Sequence, residues 1–127
     1  MGAFTYNALE CITFESSGDL STSQYLFVDL NSSAQIAVET SAGANVIGVL
    51  QDKPAAQGRA AAVAISGVSL VVAGAAFDAG AKITVDTAGK AQTATTGNFI
   101  HGIALKAAGA ANDVVPVLLM LNSGAVA

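Results

Sequence analysis

The sequence predicts an all-β domain, a compact β-barrel, β-tulip-like fold or sandwich of short strands, with an extended N-terminal arm. Three observations predict it. Turn signals rich in Gly, Ser, Asn and Asp recur about every 8–12 residues. The segments between them are short and many alternate apolar and polar residues, as half-buried strands do. One stretch occurs twice. Val46-Ile47-Gly48-Val49-Leu50, an Ala-rich link, Gly58-Arg59 and the apolar residues 60–65 align without a gap with Ile100-His101-Gly102-Ile103-Ala104, a second Ala-rich link, Asn112-Asp113 and residues 114–119. Each copy reads as strand, small-residue crossing, polar turn and second strand, so the domain is built in part from a repeated unit.

Taken in order, residues 1–19 read as the arm, 20–122 as the β domain and 123–127 as a tail expected to fray. The arm holds Phe4, Tyr6 and Phe14. Within it Ile12-Thr13-Phe14-Glu15 has the alternation of a strand, and Ser16-Ser17-Gly18-Asp19 breaks it. Such a segment is either the first strand of the domain or an extension that adds to another chain. Strands are predicted over residues 25–30, 35–39, 46–50 and 59–65. Ser66-Gly67 reads as a tight hairpin into a strand over 68–72. Further strands are predicted over 82–86, 91–94, 99–105 and 114–121. Residues 54–57 and 106–111 are Ala-rich but too short to hold a helix alone.

Composition narrows the function classes. Of 127 residues, 53% are hydrophobic and 11% charged, against about 25% charged in a typical soluble domain. So little charge suits a surface partly covered by a partner. The net charge is −4 and the five Lys and Arg are scattered; nucleic-acid binding needs clustered cations to release counterions. Residues 60–77 form an uncharged run of 18, but Ser66-Gly67 and Gly74 divide it, so strands rather than a membrane span are expected. No secretory signal is readable. Cys11 has no partner for an intrachain disulfide and reads as a small buried apolar side chain.

Chemistry is nearly silent. No GxGxxG, phosphate loop, GxSxG, HExxH or CxxC occurs. His101 is the residue to test as a general base, but no carboxylate or nucleophile is tied to it by spacing, so an outward-facing or interface imidazole is expected. Asp78 and Asp86 lack the alternating acidic pattern of a calcium loop and read as turn or capping residues. Arg59 and Asp113 hold equivalent repeat positions with opposite charge, a surface pair at most. The sequence therefore predicts no catalytic, cofactor-binding or metal-binding residues, and no enzyme.

Several blocks stand in a telling order: Phe77-Asp78-Ala79-Gly80-Ala81-Lys82, then Val85-Asp86-Thr87-Ala88-Gly89-Lys90-Ala91, then Gly102-Ile103-Ala104-Leu105-Lys106-Ala107-Ala108, and finally Asp113-Val114-Val115-Pro116-Val117-Leu118-Leu119. Over residues 20–121 the chain resembles the small capsid decoration (cement) proteins of tailed bacteriophages. The resemblance implies a barrel-like β fold bound to the outer face of an expanded head. It implies the major capsid protein as partner, a homo-oligomer (often a trimer), and a role in bracing capsomers. Phe4, Tyr6, Ile12 and Phe14 are the candidate contacts to the shell or a neighbouring protomer, since aromatic side chains are favoured anchors. The alternatives are a tail or fibre β module of the virion and a small ligand-binding β-barrel.

Overall fold

The computed structural model describes residues 9–127. Its strands are β1 (Glu10–Ser16), β2 (Phe27–Leu30), β3 (Gln35–Val38), β4 (Gly48–Leu50), β5 (Ala60–Val72), β6 (Lys82–Val85), β7 (Ala91–Thr93), β8 (Gly102–Ala104) and β9 (Val114–Leu119). They pair in the order β1-β3-β2-β4-β5-β9-β8-β6-β7, and β1 also pairs with β5. No helix occurs among the described residues. The β1–β5 pairing closes β1-β3-β2-β4-β5 into a small barrel, which removes the sheet edges.

The repeat visible in the sequence is only part of a larger one. Val49 pairs with Ala64 and Leu50 with Val63, just as Ile103 pairs with Leu118 and Ala104 with Val117. Val28↔Val38, Asp29↔Ala37 and Leu30↔Ile36 recur as Ile83↔Thr93, Thr84↔Gln92 and Val85↔Ala91. The β1–β5 register, from Cys11↔Ala64 to Glu15↔Ala60, recurs as Val68↔Leu118 to Val72↔Val114. Even the parallel contact Ser16↔Ile36 has its counterpart in an Ala73↔Ala91 bridge. The molecule is thus two barrel units in tandem. β5 serves both, as the last strand of the first unit and the first strand of the second.

Turn chemistry repeats with the strands. The Asn31 side chain accepts the amides of Ser33 and Gln35, and Asp86 accepts those of Ala88 and Lys90. This fixes Asp86 in the turn role expected of it. Gly48 and Gly102 occupy matching sites where an added Cβ would collide with the carbonyl oxygens of Ala64 and Leu118 respectively. Only glycine lets β4 and β8 lie that close to their partner strands.

Ser66-Gly67 is not a hairpin. β5 runs through it without a break, and Gly67, at φ 96°, marks the handover. Ser66 still pairs with β1, whereas Gly67 already pairs with Leu119 of β9. A dipeptide that suits a tight turn also suits a bend in a long strand, and local sequence does not separate the two.

Two buried clusters form the core. One holds Leu20, Val28, Ile36, Leu50, Ala61 and Val63, with Phe14 packed against it. The other is centred on Val71, Ile83, Val85, Val115 and Val117, and it takes in Phe27, Val46, Val49 and Ala64 of the first unit. The units are therefore welded by apolar contact.

Two further expectations change. Cys11 is exposed rather than buried, because it lies on the outer side of β1 while Phe14 faces in. The residues expected to fray are pinned: Thr96 and Phe99 bridge Val126 and Ala125, and Gly97 donates to the Val126 carbonyl at 2.9 Å.

Candidate interaction surface

β1 presents the contact residues that the sequence singles out. Residues 10–16 pair with β5 and β3 of their own chain, so this part of the arm is a stave of the first barrel. Ile12 is 44% exposed, and Phe14 is half-buried against the first core. Phe4 and Tyr6 lie outside the described residues.

The structure adds a surface that sequence reasoning missed. Val68, Leu70 and Val72 of β5 stand directly opposite Leu118, Pro116 and Val114 of β9, so all six share the outer face of that pair. Leu70, Val114, Leu118 and the adjoining Met120 are each between 40% and 48% exposed. A groove of about 480 Å³ opens on this face, lined by Leu9, Tyr25, Gln51, Val68, Leu70 and Val114 among others. Beneath it Gln51 Nε2 donates to Ser69 Oγ at 2.8 Å, and that hydroxyl donates to the Leu70 carbonyl at 2.9 Å. The signal in the sequence was Val-Val-Pro-Val-Leu-Leu, a strand with no polar alternation between its two faces.

His101 is fully buried, not outward-facing. Its Nε2 donates to the Ala44 carbonyl at 2.7 Å and its Nδ1 accepts the Asn122 amide at 3.2 Å, which assigns the neutral tautomer. The Asn122 side chain closes the same junction by bonding both the amide and the carbonyl of Val46, at 3.1 and 2.9 Å. The Phe27 ring lies 5.5 Å from the imidazole. Burial pushes the imidazole pKa below its ordinary value, outweighing the opposing bond to Ala44. His101 thus clamps residues 41–47 of the first unit to the end of the second, and it has no ring nitrogen free for a substrate. Asp113 likewise uses its carboxylate locally, on the amides of Gly109 and Ala110 at 2.8 and 3.2 Å. Among the described residues no group of three or more His, Cys, Asp or Glu is gathered.

The family model described as phage cement protein matches residues 20–119. The chain belongs to the phage cement protein family. A cement protein is a phage structural protein associated with the capsid, and this match runs from the first buried side chain after β1 to the end of β9. Among solved structures, the cement protein is similar to the N base of head fiber gp8.5 in bacteriophage phi29, with a TM-score of 0.68 at 14% identity. The likeness covers 88% of this chain and 94% of the other, and at that identity it speaks for the fold alone. No curated protein sequence matches the chain.

Proposed function

We propose that this cement protein binds the outer surface of a phage head and stabilises the contacts between capsomers. The observation that carries the reading is the family match over residues 20–119. The partner is the major capsid protein, and the protein acts as a homo-oligomer, a trimer suiting an icosahedral lattice. Binding would rest on burial of apolar surface, at about 25 cal/mol per Å², multiplied by many equivalent sites on one particle. Phe4, Tyr6, Ile12 and Phe14 are the contacts we put forward on the N-terminal side. Ile12 supports this by its exposure.

A second reading, the base of a fibre, is favoured by the fold likeness to a head fiber base. Copy number separates the two. Fractionating the native source on a density gradient and counting this chain by mass spectrometry is the test. Co-migration with intact heads in hundreds of copies supports a cement role. A handful per particle supports the fibre reading. Recovery only in the soluble fraction overturns both and reopens a ligand-binding barrel.

A further inference from the structure

We propose that His101 is an acid-sensitive latch: its neutral imidazole holds the C-terminal segment, residues 122–127, at the junction of the two barrels, and protonation releases that segment while both barrels stay folded. Three observations lead there. First, the bonds: Nε2 donates to the Ala44 carbonyl at 2.7 Å and Nδ1 accepts the Asn122 amide at 3.2 Å. A proton from solvent adds to the Nδ1 lone pair and turns that atom into a donor. Two donors then face each other, the Asn122 amide loses its acceptor, and a charge stands in a buried site. Second, the segment has little else to hold it. Of residues 122–127 only Val126 is half-buried, and the rest are exposed. Their ties to residues 97–100 are backbone bonds. Ser123 and Val126 donate to Ile100 and Asn98 at 3.0 Å each, and Ile100 and Gly97 donate to Gly124 and Val126 at 2.8 and 2.9 Å. Asn122 itself sits at φ 53°, a left-handed conformation that persists where surrounding bonds impose it. Its side chain reaches Val46 from that backbone position, so those bonds open with the latch. Third, the repeat: Ile47 is the counterpart of His101 in the first unit. Its amide donates to Val28 as that of His101 donates to Ile83. An aliphatic side chain satisfies the pairing there, so the scaffold itself does not call for a titratable group.

Among the described residues no charged group bonds the imidazole. Packed around it are Phe27 of β2, Ala44 of the loop before β4, Ile83 of β6 and Asn122 after β9. The titratable groups of those elements are engaged elsewhere or exposed. The Asp29 carboxylate takes the Leu30 amide, Glu39 those of Thr40 and Ser41, and Asp86 those of Ala88 and Lys90. Lys82 and the terminal Ala127 are exposed. Solvent pH therefore sets the charge on His101. Burial favours the neutral ring, so the latch is closed at neutral pH. Its hold is fully present above the ordinary histidine value of about 6.5 and weakens as the pH falls below it. Opening leaves the amides of Gly97 and Ile100 and the carbonyls of Asn98 and Ile100 without their partners, as a short open strand edge. The inference concerns the free protein and stands or falls apart from the capsid reading.

The experiment is residue-resolved hydrogen exchange on the full chain. The pH is stepped down from about 7.5 to just above the carboxylate range of about 4, and each rate is corrected for the intrinsic effect of pH. Protection at the amides of Gly97, Ile100, Ser123 and Val126 is expected to fall several-fold below about pH 6.5, while the amides of β5 and β9 stay strongly protected. Unchanged protection at the four amides overturns the proposal, and so does loss of protection in β5 and β9 together with them. His101→Gln carries no titrating group at this position and is expected to abolish the pH dependence at the four amides. The same fall in that variant overturns the latch. A second reading needs no variant: the ring-nitrogen signals of His101 are expected to titrate with the same midpoint as the amide signals of Ser123 and Val126. Separate midpoints overturn it.

Discussion

The two barrel units share a pairing pattern strand for strand, yet they fill and cover it differently. Inside, the changes compensate. Leu50 and Ile36 of the first core become Ala104 and Ala91 in the second, while Ala61 becomes Val115, and Leu20, whose amide donates to Pro54 as that of Phe77 donates to Ala108, becomes Phe77. Total volume is traded between positions, which close-packed interiors tolerate better than a net gain or loss. Outside, nothing compensates: small and polar residues on β1 and β5 face aliphatic ones on the matching positions of β5 and β9. The two units thus share a scaffold and a core logic but not an outer face, which is small or polar in the first and aliphatic in the second.

The largest expected effect comes from the matched glycines. Gly48→Val and Gly102→Val would each drive a side chain into a neighbouring strand's backbone, and each is expected to lose about 1–3 kcal/mol or fail to fold. Chemical denaturation of both measures it. A loss at one site with tolerance at the other would break the equivalence of the units.

Next come the matched core valines. Val63→Ala and Val117→Ala both empty fully buried sites, and each is expected to cost roughly 2 kcal/mol. Urea unfolding of the pair, with a single shared transition, would show that the welded units unfold together. Two transitions would show that they do not.

The junction between units gives a pH dependence. The folded His101 pKa is lowered by burial, so the unfolded chain binds the proton more readily. Stability is then fully present above the ordinary histidine value of about 6.5 and falls as the pH drops below it. His101→Gln is expected to lower stability at neutral pH and flatten that fall below about pH 6.5. An unchanged slope would remove His101 as its source.

A smaller, opposite effect is expected in the turns. Ala34 of the first unit sits at φ 60°, where the second has Gly89 at φ 78°. Left-handed backbone disfavours a Cβ. Ala34→Gly, at an exposed site, is therefore expected to stabilise by up to about 1 kcal/mol, read as a rise in Tm. A loss would mean that the gain in unfolded-chain entropy outweighs the strain.

The smallest stability effect belongs to the outer face. Leu118→Lys is expected to change stability by about 0.5 kcal/mol or less, while weakening head binding if that face joins the contact. Cosedimentation with heads separates the two outcomes.

Much of the fold was legible because strand period and turn residues are local properties. The sequence by itself determined the all-β class, most strand positions and the glycine-marked repeat around Gly48 and Gly102. It also set the turn role of Asp86, because an Asx turn closes within a few residues. What it left open were matters of long-range pairing. The continuity of β5 through Gly67, the docking of β1 as a barrel stave and the exposure of Cys11 each depend on which distant strand lies alongside. The wider repeat was hidden because register is kept by backbone pairing while side chains drift: Phe27 matches Lys82, and Tyr25 matches Gly80. The burial of His101 was illegible for the same reason. Its partners, Ala44 and Asn122, come from opposite units, and only the tertiary structure brings them together, by packing one barrel's apolar outer face into the other's core.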